Sequence, residues 1–552
     1  MSQFYLLGYF VLCVIVITLI NSYVLKKKKA SVASDNGKAT TTEKDIAVKA
    51  VISEPSADPN QKPMKIGKIL FVLLFGMFIA ILNQTVINVL LPLIMGDLNT
   101  STTTAQWLIT GFMLVNGMLI PISAFLIERY GFRKLFITAM ISFTIGSLIC
   151  ALATSFPVMM FGRVVQAIGA GILMPLGMNV FMTAFPPEKR GTAMGTMGIA
   201  MILAPAIGPT LSGWIVESYH WNVMFYGMFF LGIINLLFAA AWFHPKKELS
   251  NPAFDFFGIL FSSVGFGGLL YGFSEAGSKH WSSPEVVIGL SLGVIFLFLF
   301  VWRQLTVEKP LLELRVLKYD IYTLTIIINS IVTMALFGAM LLLPIYLQNI
   351  RGFTPLQSGL LLLPGALIMG LMGPIAGKLF DKYGIRVLAI VGLVITSYAT
   401  YEFTKLTGET PYSHILGIYI LRSFGMSLIM MPIMTAGMNQ LPQHLISHGT
   451  ALSNTIRQVA GSIGTAILVT IMTQQTTEHL SNYTNTLTTN NDFFSSQLSQ
   501  LGNSGIMSLY AKAIKTSTID GINDAFLFAT LLGLVALLLS FFLRTPKINR
   551  EE

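Results

Sequence analysis

Few residues in this chain are able to do chemistry, because only 11% of its 552 residues are charged. Two clusters stand out by their spacing. The string AFLIERYGFRK (Ala124–Lys134) holds Glu128, Arg129, Gly131, Arg133 and Lys134, and GKLFDKYGIRV (Gly377–Val387) repeats the pattern with Asp381, Lys382, Gly384 and Arg386. Dense charge of both signs around a glycine can clasp facing helix ends and release them; positive charge in such a loop can also simply fix orientation in a membrane. A third feature is Arg163, alone in an otherwise apolar run. Insertion scales put an ionised group at the centre of a membrane helix at about 2.5–3.5 kcal/mol, so it faces a cavity or partner, or hydrogen-bonds helix carbonyls. Arg422 and Arg457 read as nearer the basic ends of their runs, where snorkelling is a sufficient account.

The constellations used by enzymes and ATP-driven pumps do not occur. There is no GxxxxGK[ST] phosphate loop, HExxH, GxSxG or metal-spaced cysteine pair, so no enzyme, cofactor or metal is expected. Cys13 and Cys150 both lie in apolar runs and read as small buried hydrophobes.

The elements that must position these residues are helices in a bilayer. Hydrophobic residues make up 54% of the chain and its mean hydropathy is +0.71. A soluble chain carries about 25% charged residues. The apolar runs are each of the order of 20 residues, enough to cross about 30 Å of hydrocarbon. The alternating segments of about 10 residues that a barrel needs are not seen. The fold class is an all-α polytopic membrane protein.

Runs at 66–92, 105–127, 135–154, 157–184, 192–216, 223–243, 256–274, 284–303, 321–348, 356–380, 387–404, 413–440, 447–473 and 524–543 are numbered here as spans one to fourteen. A further run, 4–25, precedes them. Four lysines follow it and nothing basic precedes it, so 1–29 reads as an uncleaved anchor with its N-terminus outside, against the alternative of a cleaved signal. Residues 30–65 read as a disordered cytoplasmic linker, and 474–522 as a long, flexible extracellular loop. Basic residues cluster on alternate connections, including Lys189/Arg190, Lys246/Lys247, Arg303/Lys309/Arg315/Lys318 and the tail Arg544/Lys547/Arg550. That pattern places the C-terminus in the cytoplasm. The net charge of +10 is thus accounted for by membrane orientation, and no nucleic-acid partner is expected.

The chain also repeats itself. The two charged turns are 253 residues apart, RGTAMGT (Arg190–Thr196) returns 258 residues later as HGTALSN (His448–Asn454), and Arg163 returns 259 residues later as Arg422. Near-equal offsets imply a duplicated six-helix unit, 66–245 and 319–552, with a helix pair inserted at 246–318. Parallel repeats of this kind are the architecture of the major facilitator fold, whose cavity lies between the halves.

LNQTVINVLLP in span one, TTAQWLITGFML opening span two, GRVVQAIGAGILMP in span four, PPEKRGTAMG before span five and APAIGPTLSGWIVE within it stand in one order and spacing. By these strings the sequence resembles the fourteen-helix drug/proton antiporter branch of the major facilitator superfamily, the EmrB/QacA type, over about residues 66–545. The resemblance implies a gating role for the charged turns and a part in proton transfer for Arg163. It makes Pro205, Gly208, Pro209 and Gly213 an antiporter motif that marks exporters. Glu128 stands where Asp is usual and Ala124 where Gly is usual.

A further departure concerns coupling. Asn83 occupies a position in span one where relatives commonly carry a titratable Asp, so no proton carrier sits there and the sequence does not locate the proton path, with Glu217, Glu128 and Glu402 as candidate carriers. Asp255 and Glu275 match the pattern of the inserted pair and can both be interfacial. Asn83, Gln84, Asn88 and Met174 are candidate cavity residues. The implied activity is plasma-membrane efflux of lipophilic or amphipathic compounds in exchange for protons. Export of an endogenous metabolite or lipid, and a non-transporting receptor that keeps the fold, are the alternatives.

Overall fold

The computed structural model describes residues 66–243, 255–276, 281–307, 310–489 and 492–543. The expected anchor, the linker, Lys246/Lys247, Lys309 and the tail Arg544/Lys547/Arg550 lie outside them. Apolar runs of bilayer length satisfy their backbone groups internally by coiling, and every described run is a helix. They are α1 (Ile66–Asp97), α2 (Thr102–Ala151), α3 (Phe156–Ala184), α4 (Arg190–Ser218), α5 (Asn222–Trp242), α6 (Phe256–Ala276) and α7 (Pro284–Thr306), followed by α8 (Asp320–Ile345), α9 (Pro355–Tyr383), α10 (Ile385–Glu402), α11 (Tyr412–Ser427), α12 (Met430–Met438), α13 (Ile446–Thr489) and α14 (Asp492–Ser540). Thirteen stretches of the described residues are long and apolar enough to cross a membrane. The stretch within α2 is two spans run together across a break at Gly131, so spans one to fourteen are all present. Span twelve is divided into α11 and α12 just before Pro432, whose missing N–H interrupts the helical ladder.

The duplication extends to backbone detail at the offset of 253 residues. Gly131 (φ 71°, ψ 162°) and Gly384 (φ 76°, ψ 175°) turn the two charged loops with the same positive-φ conformation. Ser101 caps α2 by accepting from the Thr104 amide, and Thr354 caps α9 through a capping box with Gln357. Pro121 and Pro374 sit inside those helices.

The inserted pair α6–α7 packs through glycines: Gly265, Gly268 and Gly272 face Leu297, Gly293 and Leu290. At the end that holds the charged turns, Asp255 takes the Arg303 guanidinium at 2.7 Å and the Gly258 amide at 2.9 Å, closing the hairpin. The pair bridges the two halves along one side. Leu270 lies against Gly117 of α2, Leu269 clusters with Ala466 of α13, and the Trp281 indole donates to Thr470 of α13 at 2.9 Å.

One expectation is corrected. The stretch 474–522 is carried as helix through 489 and again from 492, rather than as a flexible loop. At 44 residues α13 is about 66 Å long, twice the hydrocarbon thickness. It is held to α14 by His479 Nε2 to Asp524 Oδ2 (2.8 Å) and by Tyr483, which donates to Asp520 (2.9 Å).

Candidate functional site: a seam between two related halves

The site begins at the charged turns. Because Gly131 and Gly384 reverse the chain at positive φ, the carboxylates three residues before them reach the opposite half. Asp381 accepts from the Gly191 amide (3.1 Å), the Thr192 amide (3.0 Å) and the Thr192 hydroxyl (2.8 Å). These amides belong to the first turn of α4, so the carboxylate caps a helix N-terminus where partial positive charge favours an anion. Glu128 makes the related contact in the other direction, with Oε1 3.1 Å from His448 Nε2 at the start of α13. The Glu313 amide donates to Nδ1 of the same ring at 3.3 Å. Nδ1 is therefore an acceptor, which assigns the proton to Nε2 and aims it at Glu128. Two further bonds cross here: Arg190 Nη1 to Asn439 (3.2 Å) and Asn179 Nδ2 to Ser447 (2.7 Å).

Close backbone approach accompanies these bonds. Gly191 and Gly195 of α4 lie on Gly377 and Gly373 of α9, so that a Cβ on any of the four would run into the backbone of the other helix. Small residues at four-residue spacing let membrane helices meet in this way. On the matching side of the molecule Ala124 and Ile120 stand at the positions of Gly377 and Gly373. The halves are thus closed on each other at the charged-turn end, more tightly through α4–α9 than through α2–α13.

The intramembrane arginines occupy three different settings. Arg163 is fully buried inside the first half, where Nε donates to the Leu108 carbonyl (3.2 Å) and Nη1 to Gln166 Oε1 (3.0 Å), while the guanidinium lies over the Phe112 ring at 4.2 Å. Nη2 has no hydrogen-bond partner. Gln166 also bonds Ser147 (2.8 Å) and Asn83 (3.4 Å). Asn83 is therefore buried in this cluster and does not line the seam. Arg422 is only 4% exposed, inside the second half, and donates to Thr400 (3.2 Å) and the Ala335 carbonyl (3.3 Å). Snorkelling does not describe it. A void beside it, with room for about one water, is lined by Thr396 and Ser397, whose buried hydroxyls lack partners.

Arg457 is on the seam. It is partly exposed, and Nη2 donates to Met174 Sδ of α3 (3.4 Å) and to Asn454 Oδ1 (3.0 Å). Met174, singled out from sequence, meets it from the first half.

The other sequence candidates are dispersed. Arg129, Arg133, Lys134, Lys382 and Arg386 surround the two turns, with Lys134, Lys382 and Arg386 exposed. Gly208 lies against Thr85 of α1 and Gly213 near Leu356 of α9, and Pro205 and Pro209 are in the same helix, α4. Gln84 is partly buried and Asn88 exposed on α1. Glu217 and Glu402 lie in the last turns of α4 and α10, away from the charged turns, with Glu402 bound to Lys405 at 2.8 Å. Neither contacts Arg163. His448 was missed, although its signal is in the repeat: it stands where Arg190 stands in the first copy.

Two halves related by these repeats and meeting at a polar seam are the architecture of one family, and its model, the Major Facilitator Superfamily, matches residues 73–465. The chain belongs to the major facilitator superfamily. It is similar to the lincomycin resistance protein LmrB of Bacillus subtilis, 38% identical over 90% of this chain and 100% of LmrB. It is also similar to the multidrug export protein EmrB of Escherichia coli, 30% identical over 80% of this chain and 88% of EmrB, which fits the EmrB/QacA-type branch. Among solved structures the human organic anion transporter MFSD10 superposes with a TM-score of 0.60 at 13% identity, covering 87% of this chain and 100% of that one, a likeness of fold. The protein is a multi-pass membrane transporter, not an enzyme.

Proposed function

We propose that this major facilitator protein exports lipophilic or amphipathic small molecules across the plasma membrane in exchange for protons. The observation that carries the reading is the clasp: both duplicated carboxylates, Asp381 and Glu128, hold the opposite half at one end of the seam. A joint that ties two rigid bundles at one end through a few polar contacts is the part that must break when the halves rock. The basic loops put this end in the cytoplasm. The closed cytoplasmic seam then corresponds to a carrier shut towards its substrate supply. The names of LmrB and EmrB point to antibiotics and other drugs as substrates, and the Gly/Pro-rich α4 agrees with export.

The proton has no mid-membrane carboxylate to ride on. Glu217 and Glu402 remain candidate carriers near one end, and Arg163 is a positioning residue of the first half. The test is accumulation of a drug panel that includes lincomycin, in cells with and without the gene. Lower accumulation in the expressing cells, abolished by a protonophore, is expected. Equal accumulation for every compound would count against export, and export that survives collapse of the gradient would count against proton coupling.

A further inference from the structure

Of the three intramembrane arginines, two are consumed by their own half-bundles. Arg163 is enclosed by Leu108, Gln166 and Phe112, and Arg422 by Thr400 and Ala335. Arg457 differs in what it faces. It lies about 16 Å along α13 from Ile446, near the middle of a 30 Å hydrocarbon layer. Its helix packs against α2 and α3 of the first half, α6 of the inserted pair, and α8 and α14 of the second half, and the partly exposed guanidinium meets Met174 of the opposite half. One of its bonds crosses to a thioether of the other half and one goes to a neutral amide; like Arg163 and Arg422 it has no carboxylate partner among the described residues.

The surroundings are suited to an amphiphile. Met174 faces it from α3, Met178 of α3 accepts from the neighbouring Asn454, Asn454 and Gln458 flank it on α13, and Gln458 lies against Gly117 of α2. One turn further on, Gly461 packs on the exposed Phe337 ring of α8. A guanidinium offers five donors in a fork matched to carboxylate and phosphate oxygens. Thioether sulfur is a weak acceptor, and Met is an adaptable neighbour for varied apolar bodies.

We propose that Arg457 is the charge-reading residue of the substrate site, and that the seam takes amphiphiles carrying one anionic oxygen group on an apolar body. The proposal rests on the export reading above and narrows its substrate class. The anion completes a charge that the chain itself leaves uncompensated, and Met174 and Phe337 hold the apolar part.

The experiment uses the full-length protein in phosphatidylcholine nanodiscs, with dansyl-labelled undecanoic acid and its methyl ester as probes. The ester keeps the body and removes the charge. Wild type is expected to bind the acid about tenfold or more tighter than the ester, the range of a charge-assisted pair. Arg457→Gln should bind the two alike, with ester affinity unchanged. Arg457→Lys, the conservative variant, should recover part of the preference. Unchanged ester binding also serves as the folding control; if Arg457→Gln binds neither probe, Arg457→Lys alone decides, and an acid preference no weaker than in wild type overturns the proposal. Equal binding of both probes by wild type, or an acid preference that survives Arg457→Gln, overturns it too. So does binding of neither probe by wild type; if the drug panel still shows efflux, only this inference falls, and if the panel is also silent, the export reading falls with it. Repeating the measurement in phosphatidylglycerol nanodiscs distinguishes the source of the anion. Loss of acid binding there supports the site with a lipid headgroup as occupant, and retained binding supports a freely partitioning amphiphile.

Discussion

At the residue scale, the two turn glycines bear the most specific demand. With ψ near 160–175° at positive φ, Gly131 and Gly384 occupy a region that is essentially confined to glycine, and forcing another residue into it costs about 1–3 kcal/mol. Gly384→Ala is expected to lower the melting temperature of the purified protein and to reduce export. Gly352→Ala is an internal comparison for strain alone, since Gly352 also has positive φ (70°) but lies outside the charged turns. It should lower the melting temperature with a smaller effect on export. Thermal unfolding in detergent and drug accumulation in cells measure the two effects. The Arg163 cluster gives a second expectation. Arg163→Ala removes a buried donor to the Leu108 carbonyl and Gln166, leaving Gln166 Oε1 with its longer bond from Asn83, and opens a cavity under Phe112, a loss of about 1–3 kcal/mol. Reduced stability with residual export in the surviving protein is the expected result; normal stability with abolished export would return Arg163 to direct proton transfer.

At the scale of elements, the seam is a helix pair with an electrostatic latch. Asp381→Asn removes the anion from the first turn of α4 but keeps one acceptor oxygen, so a weakening of about 1 kcal/mol is expected. Gly195→Val places side-chain atoms where the backbone of Gly373 now lies, which no rotamer relieves. Both should bias the halves apart at this end, the glycine substitution more strongly. A reporter cysteine, Ser447→Cys, sits where Asn179 crosses the seam. Its maleimide labelling from the cytoplasmic side should rise severalfold in Asp381→Asn and further in Gly195→Val. Unchanged labelling in both would mean that the α4–α9 contact does not govern access. The extension of α13 and α14 belongs to this scale as well. The composition of 474–522 is rich in Thr, Asn and Ser, poor helix formers. Helix persists where the two strands of the hairpin are tied, at His479–Asp524, at Tyr483–Asp520 and where Gly521 meets Met472 and Thr476. Such contacts override local propensity.

At the scale of the whole molecule, the inserted pair makes the duplicated carrier asymmetric. α6 touches α2 of the first half and α13 of the second, covering one side of the seam, while the α4–α9 side is held by its glycines and the Asp381 bonds without an inserted helix. Rocking therefore has a side spanned by the inserted pair and a side without it. Trp281→Phe removes the indole donor to Thr470 while keeping an aromatic ring of similar placement. It is expected to change export rates more than stability, as measured by time-resolved efflux against melting temperature. The proposed orientation is checked separately: a fluorescent-protein fusion at the C-terminus should fluoresce if that end is cytoplasmic, as the basic loops and tail predict, and a dark fusion would overturn it.

Much of this architecture was legible in one dimension. Span count follows from run length against bilayer thickness, and the halves follow from Glu128 and Asp381, Gly131 and Gly384, and Arg163 and Arg422 recurring at near-equal offsets. Those properties are local in the chain, so sequence alone determined them. The structure decided which faces meet. Gly191 and Gly377 are far apart in sequence, and nothing in either string says that they touch; the same holds for His448 and Glu128. Depth in an apolar run set Arg163 apart from Arg422 and Arg457 but said nothing of which way each faces, because hydropathy has no azimuth around a helix. Only packing turned the first two into their own bundles and the third onto the seam. Asn83, polar in a membrane helix and therefore a natural cavity candidate, was taken up by Gln166 for the same reason: a buried polar group goes to whichever partner the neighbouring helix presents.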